Sequence, residues 1–413
     1  MARFKSLFLI LLVLLAGLSV SPTTTVSADN PCDPDGEQPS GATYRICMPE
    51  PGKWNGSLII YAHGYVPFFE PIKIPDEDLT LPDGTYVPEM LTQLGFAFAV
   101  TSYRTNGLAV REAVEDIREL SEIFVGKYGE PEQVYLIGGS EGGLITTLAV
   151  ERFPDQFDGG LAACGPIGDF KLQINYIQDF RVVFDYFFPG VIPGSPVNIP
   201  EDVMLGWDDV YKDAITDAIR SNQRKTNQLL RVTKGATDWG SQDSKLETTL
   251  WVLGYNIFAT NDAELKLGGQ PFGNRWRFYW GSWNDWRLNR KVKRFRADSN
   301  ALRELEAHYQ TSGKLSSDLV TLHTTGDPLI PYWHNALYLS KVISKGSVHN
   351  YVHIPIFRYG HCNFKAHEVL LGLAALYWKV NHEILPDVEK VITNSQDLSI
   401  YNEMLEDLGI ELP

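Results

Sequence analysis

Cysteine is scarce in this sequence, and acidic residues outnumber basic ones. Only four cysteines occur among 413 residues, and none has the C-x-x-C spacing of a zinc cluster, so we expect no metal site. The formal net charge of −15 argues against a general nucleic-acid-binding role, because phosphate contacts need a basic face. No internal repeat is present, and the 44% of hydrophobic residues is typical of a folded globular protein.

The longest apolar run lies at the N-terminus. Arg3 and Lys5 precede an apolar run over 7–20, and small residues end the segment at Ala28. This pattern predicts a signal peptide over 1–28 that is cleaved after Ala28. An uncleaved anchor is the alternative, but the run is shorter than the roughly 20 residues that span a bilayer. We therefore expect a secreted or periplasmic protein with no stable membrane insertion after cleavage.

The four cysteines are Cys32, Cys47, Cys164 and Cys362. An even number in an exported protein indicates two disulfides, for which three pairings are possible. A Cys32–Cys47 bond would close a small N-terminal loop and leave Cys164 to pair with Cys362. The sequence does not decide among the pairings.

Apolar strand patterns alternate with amphipathic helix patterns, which predicts an α/β protein with a mostly parallel sheet and helices on both faces. The strand patterns are Thr43–Met48, Ser57–Ala62, Phe96–Thr101, Val134–Ile137, Gly159–Cys164, Asp318–Thr325 and Tyr351–Phe357. The alternation is interrupted from about Asp169 to Gly313, where the chain is aromatic-rich and irregular. We predict a core formed by 29–168 and 314–382, a cap inserted over 169–313, and a C-terminal tail over 383–413. Such an insertion would lie over the carboxyl ends of the strands, where α/β sheets bind ligands.

The pattern Gly138-x-Ser140-x-Gly142 lies between a strand and a helix pattern that starts near Leu144. This is the strand-turn-helix context of a nucleophilic serine, and a simple glycine-rich turn is the alternative. The backbone N–H of Glu141 would be one donor of an oxyanion hole, and Tyr65, after the strand that ends in His63-Gly64, would supply the second. The Glu141 side chain has no predicted role beyond charge complementarity at a helix N-terminus.

A nucleophilic serine needs a base and an orienting acid, which follow it in the order acid then histidine in this arrangement. Asp327 lies in a turn after a strand, and His361 lies on a loop after the last strand. Asp327 could instead be only a turn residue, and Asp169 is the rival acid. The other histidines are expected at the surface of helices, as for His334 and His367, or packed within strands.

These motifs resemble the α/β-hydrolase-fold serine hydrolases, in particular secreted bacterial capped esterases and prolyl-oligopeptidase-like proteins. The matching parts are Tyr61–Tyr65, Gly138–Gly143, Gly326–Pro331 and Gly360–Phe364. The resemblance implies a Ser140-His361-Asp327 triad with no cofactor. The sequence of the insertion does not identify the substrate. Tannase and feruloyl-esterase relatives place a disulfide beside the acid and the histidine. Here no cysteine adjoins Asp327, so a Cys164–Cys362 bond would replace that disulfide and hold the histidine loop.

We therefore expect a secreted carboxylic-ester hydrolase that acts through an acyl-enzyme on a small or polymeric ester. The alternatives are a prolyl-type or tripeptidyl-type exopeptidase of the same fold, or a non-catalytic binding module. Trp276, Trp280 and Trp283, with Trp286, are predicted to line an apolar substrate pocket or else to form the core of the insertion. The basic run over 287–296 is predicted to be a solvated face or, alternatively, a site for a substrate carboxylate.

Overall fold

The computed structural model describes residues 31–241 and 243–410, and its centre is one eight-stranded sheet. The predicted signal peptide lies outside the described residues. The strands are β1 (Gly36–Glu37), β2 (Thr43–Cys47), β3 (Ser57–Ala62), β4 (Ala97–Thr101), β5 (Gln133–Gly139), β6 (Gly159–Ala163), β7 (Asp318–Gly326) and β8 (Tyr351–Tyr359). Their spatial order is β1-β2-β4-β3-β5-β6-β7-β8. From β4 to β8 neighbouring strands are parallel, and β1 and β2 form an antiparallel edge. The prediction of a mostly parallel sheet is confirmed.

The described residues form thirteen α-helices, and some of these helices cover both faces of the sheet. They are α1 (Val87–Gln93), α2 (Val110–Tyr128), α3 (Glu141–Arg152), α4 (Phe170–Phe187), α5 (Glu201–Leu205), α6 (Lys212–Ser221), α7 (Gln223–Thr233), α8 (Asp243–Lys266), α9 (Asp285–Lys291), α10 (Ser299–His308), α11 (Trp333–Lys345), α12 (Ala366–Asn381) and α13 (Ser395–Asp407). Apolar residues of α2, α3, α10 and α11 pack on one face. Those of α1, α12 and α13 pack on the other. Because both faces are covered, the central strands are buried along almost their whole length.

The segment between β6 and β7 differs from the irregular structure expected for it. Its described residues form seven α-helices, α4 to α10, and have an apolar core of their own around Phe180, Phe184 and Ile257. The prediction of irregular structure was wrong, and α8 shows one reason for the error. Helix α8, which spans 24 residues, buries threonines and an asparagine beside its aliphatic residues.

Two disulfides join distant parts of the described chain. Cys32 bonds to Cys47 in β2, and Cys164, just after β6, bonds to Cys362 in the loop that follows β8. The second bond joins residues 198 positions apart. Within 31–241 and 243–410, no helix has both the length and the apolar character needed to cross a bilayer.

Candidate active site

Ser140 occupies a sharp turn between β5 and α3. Its backbone has φ 57° and ψ −123°, a conformation that side-chain-bearing residues rarely adopt. The two flanking glycines of the motif are required by close packing. A Cβ at Gly142 would overlap the carbonyl oxygen of Ala62, and one at Gly138 would overlap the carbonyl of Gly142. The turn therefore holds the Ser140 hydroxyl above the carboxyl end of β5.

Three side chains that are far apart in sequence meet at this edge of the sheet. Nε2 of His361 lies 2.9 Å from Oγ of Ser140, and Nδ1 of His361 lies 2.7 Å from Oδ2 of Asp327. With Nδ1 protonated, His361 donates a hydrogen bond to Asp327 and accepts one from the Ser140 hydroxyl. The structure thus joins the three residues in one continuous hydrogen-bonded chain.

The Asp327 carboxyl is almost fully buried but well supplied with donors. Its Oδ1 accepts hydrogen bonds from the backbone N–H groups of Leu329 and Ile330 at 2.8 and 2.9 Å. Burial alone would raise its pKa, but the charge of His361 and hydrogen bonds from His323 and His361 outweigh burial and lower the pKa to about 2. Asp327 is therefore ionised at neutral pH, as an acid that orients a histidine must be.

The two predicted oxyanion donors belong to residues in segments next to Ser140. Glu141 begins α3, so its backbone N–H is at a helix N-terminus. Tyr65 follows Gly64, and a Cβ built on Gly64 would lie 3.5 Å from the Cβ of Ser140. The Tyr65 ring packs against Tyr255 of α8, with 5.4 Å between ring centroids. The role of these two N–H groups stays a prediction.

The Glu141 side chain lies in the interior and not at the surface. Its Oε1 accepts a hydrogen bond from the backbone N–H of Ala109 at 3.2 Å. Burial raises its pKa to about 8, and the nearby charge of Lys266 only partly opposes this. The side chain is therefore mostly uncharged at neutral pH and does not supply the charge complementarity expected at the start of α3.

Two aromatic residues of α8 complete the site, and sequence reasoning missed both. The Tyr255 hydroxyl lies near Ser140, and burial raises the pKa of Tyr255 well above its usual value, so it remains protonated at neutral pH. Trp251 is edge-on to the His361 ring at 6.3 Å. Tyr255 also lines a small apolar cavity between α4 and α8, together with Ile174, Ile177 and Ala259. No local motif marks α8, so only the fold brings it to Ser140.

Trp276, Trp280 and Trp283 precede α9, and Trp286 lies in its first turn. Trp276, Trp280, Trp283 and Trp286 have exposed fractions of 88%, 70%, 69% and 80%, so they do not form a core of the insertion. Trp280 and Trp286 pack on Phe278, at 4.3 and 5.7 Å between ring centroids. Their contribution to a substrate pocket stays a prediction.

Other predicted alternatives are corrected by the contacts. Asp169 caps α4 and accepts a hydrogen bond from Gln310, so it is not the partner of His361. His334 and His367 are buried, contrary to expectation. His334 accepts a hydrogen bond from the Gly168 N–H at 3.0 Å, where α11 packs against the start of the insertion. Among the described residues, one set of possible metal ligands converges, Cys164, His361 and Cys362, but its two sulfur atoms form the disulfide.

Comparison with known proteins agrees with this geometry. A family model described as "Serine aminopeptidase, S33" matches residues 103–255, which include Ser140 and Tyr255. The chain has the α/β-hydrolase fold. Its predicted resemblance to the serine hydrolases of this fold is confirmed, although the family model spans less than half of the chain.

A curated relative is the o-phthalyl amidase of Xanthobacter agilis, which is 30% identical over 135 residues. That match covers 31% of this chain and 26% of the amidase, so the chain spans only about a quarter of this relative.

Similar solved structures include feruloyl esterase B from Aspergillus oryzae, at 15% identity and a TM-score of 0.45 over 85% of this chain and 81% of the esterase. The Pyrococcus horikoshii acylaminoacyl peptidase has 12% identity and a TM-score of 0.42, over 85% of this chain and 42% of the peptidase. The esterase domain of a Rhodothermus marinus protein has 14% identity and a TM-score of 0.41, over 84% of this chain and 98% of that domain.

Proposed function

We propose that this α/β-hydrolase is a secreted serine hydrolase that cleaves carboxylic esters through an acyl-enzyme. The observation that carries the proposal is the hydrogen-bonded chain from Asp327 through His361 to Ser140. A serine hydroxyl is a weak nucleophile unless a neighbouring base takes its proton, and this arrangement supplies both the base and the acid that orients it. Two disulfides agree with an oxidising, extracellular location.

In the proposed reaction, Oγ of Ser140 attacks the ester carbonyl carbon while its proton passes to Nε2 of His361. The carbonyl oxygen becomes an oxyanion, held by the backbone N–H groups of Tyr65 and Glu141. Collapse of this intermediate breaks the ester bond, and the departing alcohol takes the proton from His361. Water then attacks the acyl-Ser140 ester with His361 again as the base, which releases the carboxylic acid and restores the serine.

The insertion over 169–313 is proposed to act as a cap that selects the acyl group. Contacts from α4 and α8 support this role. Tyr176 of α4 donates a hydrogen bond to the carbonyl of Pro328 at 2.7 Å, next to Asp327, and Tyr255 of α8 reaches Ser140.

Amide cleavage is the second candidate, because the amidase relative and the aminopeptidase family match are both amide-cleaving by name. An aminopeptidase needs a free carboxylate to hold the substrate amine. Two buried carboxyls of this region are engaged with other groups of the protein. Glu141 accepts a hydrogen bond from the backbone N–H of Ala109. Asp262 forms an ion pair with Lys266 at 3.3 Å and accepts a hydrogen bond from the backbone N–H of Leu108. These two carboxyls are therefore not free to hold a substrate amine.

The test compares turnover of p-nitrophenyl acetate and butyrate with that of aminoacyl and N-acyl p-nitroanilides. We expect the esters to be hydrolysed fastest and the free-amine anilides slowest. Ser140→Ala should lower kcat/KM by at least about ten thousandfold, because the nucleophile is lost. Ser344→Ala, which changes an exposed serine of α11, is the matched control. Failure of the wild-type protein to react with a fluorophosphonate at Ser140 would refute the proposal. If the free-amine anilides were hydrolysed faster than the esters, the exopeptidase alternative would replace the esterase proposal.

A further inference from the structure

The segment over 275–296 has a charge opposite to that of the rest of the protein. It contains eight lysines and arginines and one aspartate, a net charge of +7, whereas the whole chain has −15. Arg287, Arg290 and Lys291 are exposed, and none of the ion pairs found among the described residues involves them. We call Trp276, Trp280, Trp283, Trp286 and these three cations the aromatic-basic patch.

The indoles of the patch are displayed by a well-anchored scaffold. Tyr279 and Leu288 are buried beneath the segment. Arg294 donates hydrogen bonds to the carbonyls of Asn274 and Asn289 at 2.8 and 2.9 Å. The amide of Asn289 donates to the carbonyl of Tyr279 at 2.8 Å. Because these contacts fix the backbone, the tryptophans project outward from a rigid segment.

Four exposed tryptophans within eleven positions are unusual on a protein surface, because each exposes a large apolar area to water. Indoles combined with lysine and arginine are the pairing that favours the boundary between lipid headgroups and water. Each cation near an anionic membrane adds roughly 1 kcal/mol of attraction, so the aromatic and basic groups act together. The acidic remainder of the protein would be repelled by such a surface, which favours contact through the patch.

We propose that the aromatic-basic patch docks the protein on the surface of a membrane that contains anionic lipids. The association is peripheral and reversible, and it requires no membrane-spanning helix. The indoles enter the headgroup layer, and Arg287, Arg290 and Lys291 contact lipid phosphates. The proposal is independent of the chemistry at Ser140, and it gives a role to the tryptophans and to the basic run together.

The test measures co-sedimentation of the exported, leader-free protein with phosphatidylcholine vesicles, with and without phosphatidylglycerol, at low and high salt. We expect binding only with phosphatidylglycerol, and weakening of at least about tenfold on raising the salt, since surface attraction is screened. The aromatic variant is Trp280→Ala/Trp286→Ala, and its control is Phe357→Ala, which removes a similarly exposed ring on β8. We expect at least a tenfold loss of affinity in the first and less than a twofold change in the control.

The charge variant is Arg287→Glu/Arg290→Glu, and Lys314→Glu/Lys345→Glu is a control with the same change in net charge at exposed positions. Only the charge variant should lose binding to anionic vesicles. An unchanged melting temperature would show that its fold is intact. Absence of binding to anionic vesicles at low salt would overturn the proposal. An equal loss in the control variants would do so too. Tryptophan-dependent binding to dextran sulfate or polygalacturonate without vesicle binding would also overturn it, in favour of an anionic polysaccharide.

Discussion

Replacement of Glu141 by glutamine should change how stability depends on pH. The folded protein raises the pKa of this carboxyl from 4.5 to about 8, chiefly through burial. Below pH 4.5 both the folded and the unfolded chain hold the proton, and the group has no effect. Between pH 4.5 and 8 the unfolded chain loses the proton while the folded chain keeps it, so stability falls as pH rises. Above pH 8 the loss is complete.

The size of the effect follows from the shift. At about 1.36 kcal/mol per pKa unit, the full shift corresponds to roughly 5 kcal/mol, of which about 3 kcal/mol falls between pH 5.5 and 8.5. Glutamine cannot ionise, and its amide oxygen can still accept the hydrogen bond from Ala109. The variant should therefore lack this fall in stability. The difference between its free energy of unfolding and that of the wild type should increase by about 3 kcal/mol in its favour as pH rises from 5.5 to 8.5.

The assay is urea unfolding of wild type and Glu141→Gln at both pH values, with disulfides intact, followed by tryptophan fluorescence. Other groups titrate in this range, so the measured quantity is the difference between the two proteins. Glu122→Gln, which changes an exposed carboxyl of α2, is the control and should follow the wild type. Parallel profiles for wild type and Glu141→Gln would refute the inference that burial holds Glu141 in its neutral form.

Two further predictions concern the groups around Ser140. Tyr255→Phe removes a hydroxyl that lies near Ser140, and we expect kcat to fall about tenfold to a hundredfold with little change in KM, as measured on a soluble ester. An unchanged kcat would show that this hydroxyl has no part in the reaction. Replacing Cys164 and Cys362 together by serine should lower the free energy of unfolding by roughly 5 kcal/mol, because the bond closes a loop of 198 residues. Denaturant unfolding checks this, and a loss no larger than that from opening the Cys32–Cys47 loop would contradict it.

The central strands and the three meeting side chains could be predicted because their signals are local. Short apolar runs bounded by glycine or polar turns mark β3, β5 and β7, and Ser140, Asp327 and His361 each follow a strand directly. Parallel strands bring their carboxyl ends to one edge, so sequence position alone places these residues together.

The helical insertion could not be predicted in the same way. Helix α8 buries Thr248, Asn256 and Thr260 within an apolar layer, so its apolar period is broken by polar residues that find partners only in the folded protein. Tyr255 reaches Ser140 across 115 positions of chain, with no motif to mark it. The burial of Glu141 likewise depends on how α2 and α8 close over the start of α3, which no local pattern records.

The covalent link from β6 to the histidine loop makes assembly of the site depend on redox state. Cys164 and Cys362 come within bonding distance only when β6, β7 and β8 lie side by side, so the link follows formation of that half of the sheet. In a reducing compartment such a bond does not persist, and the loop that carries His361 is held by noncovalent contacts alone. A chain that meets oxidising conditions only after leaving the cytosol would therefore reach its most stable site geometry outside the cytosol.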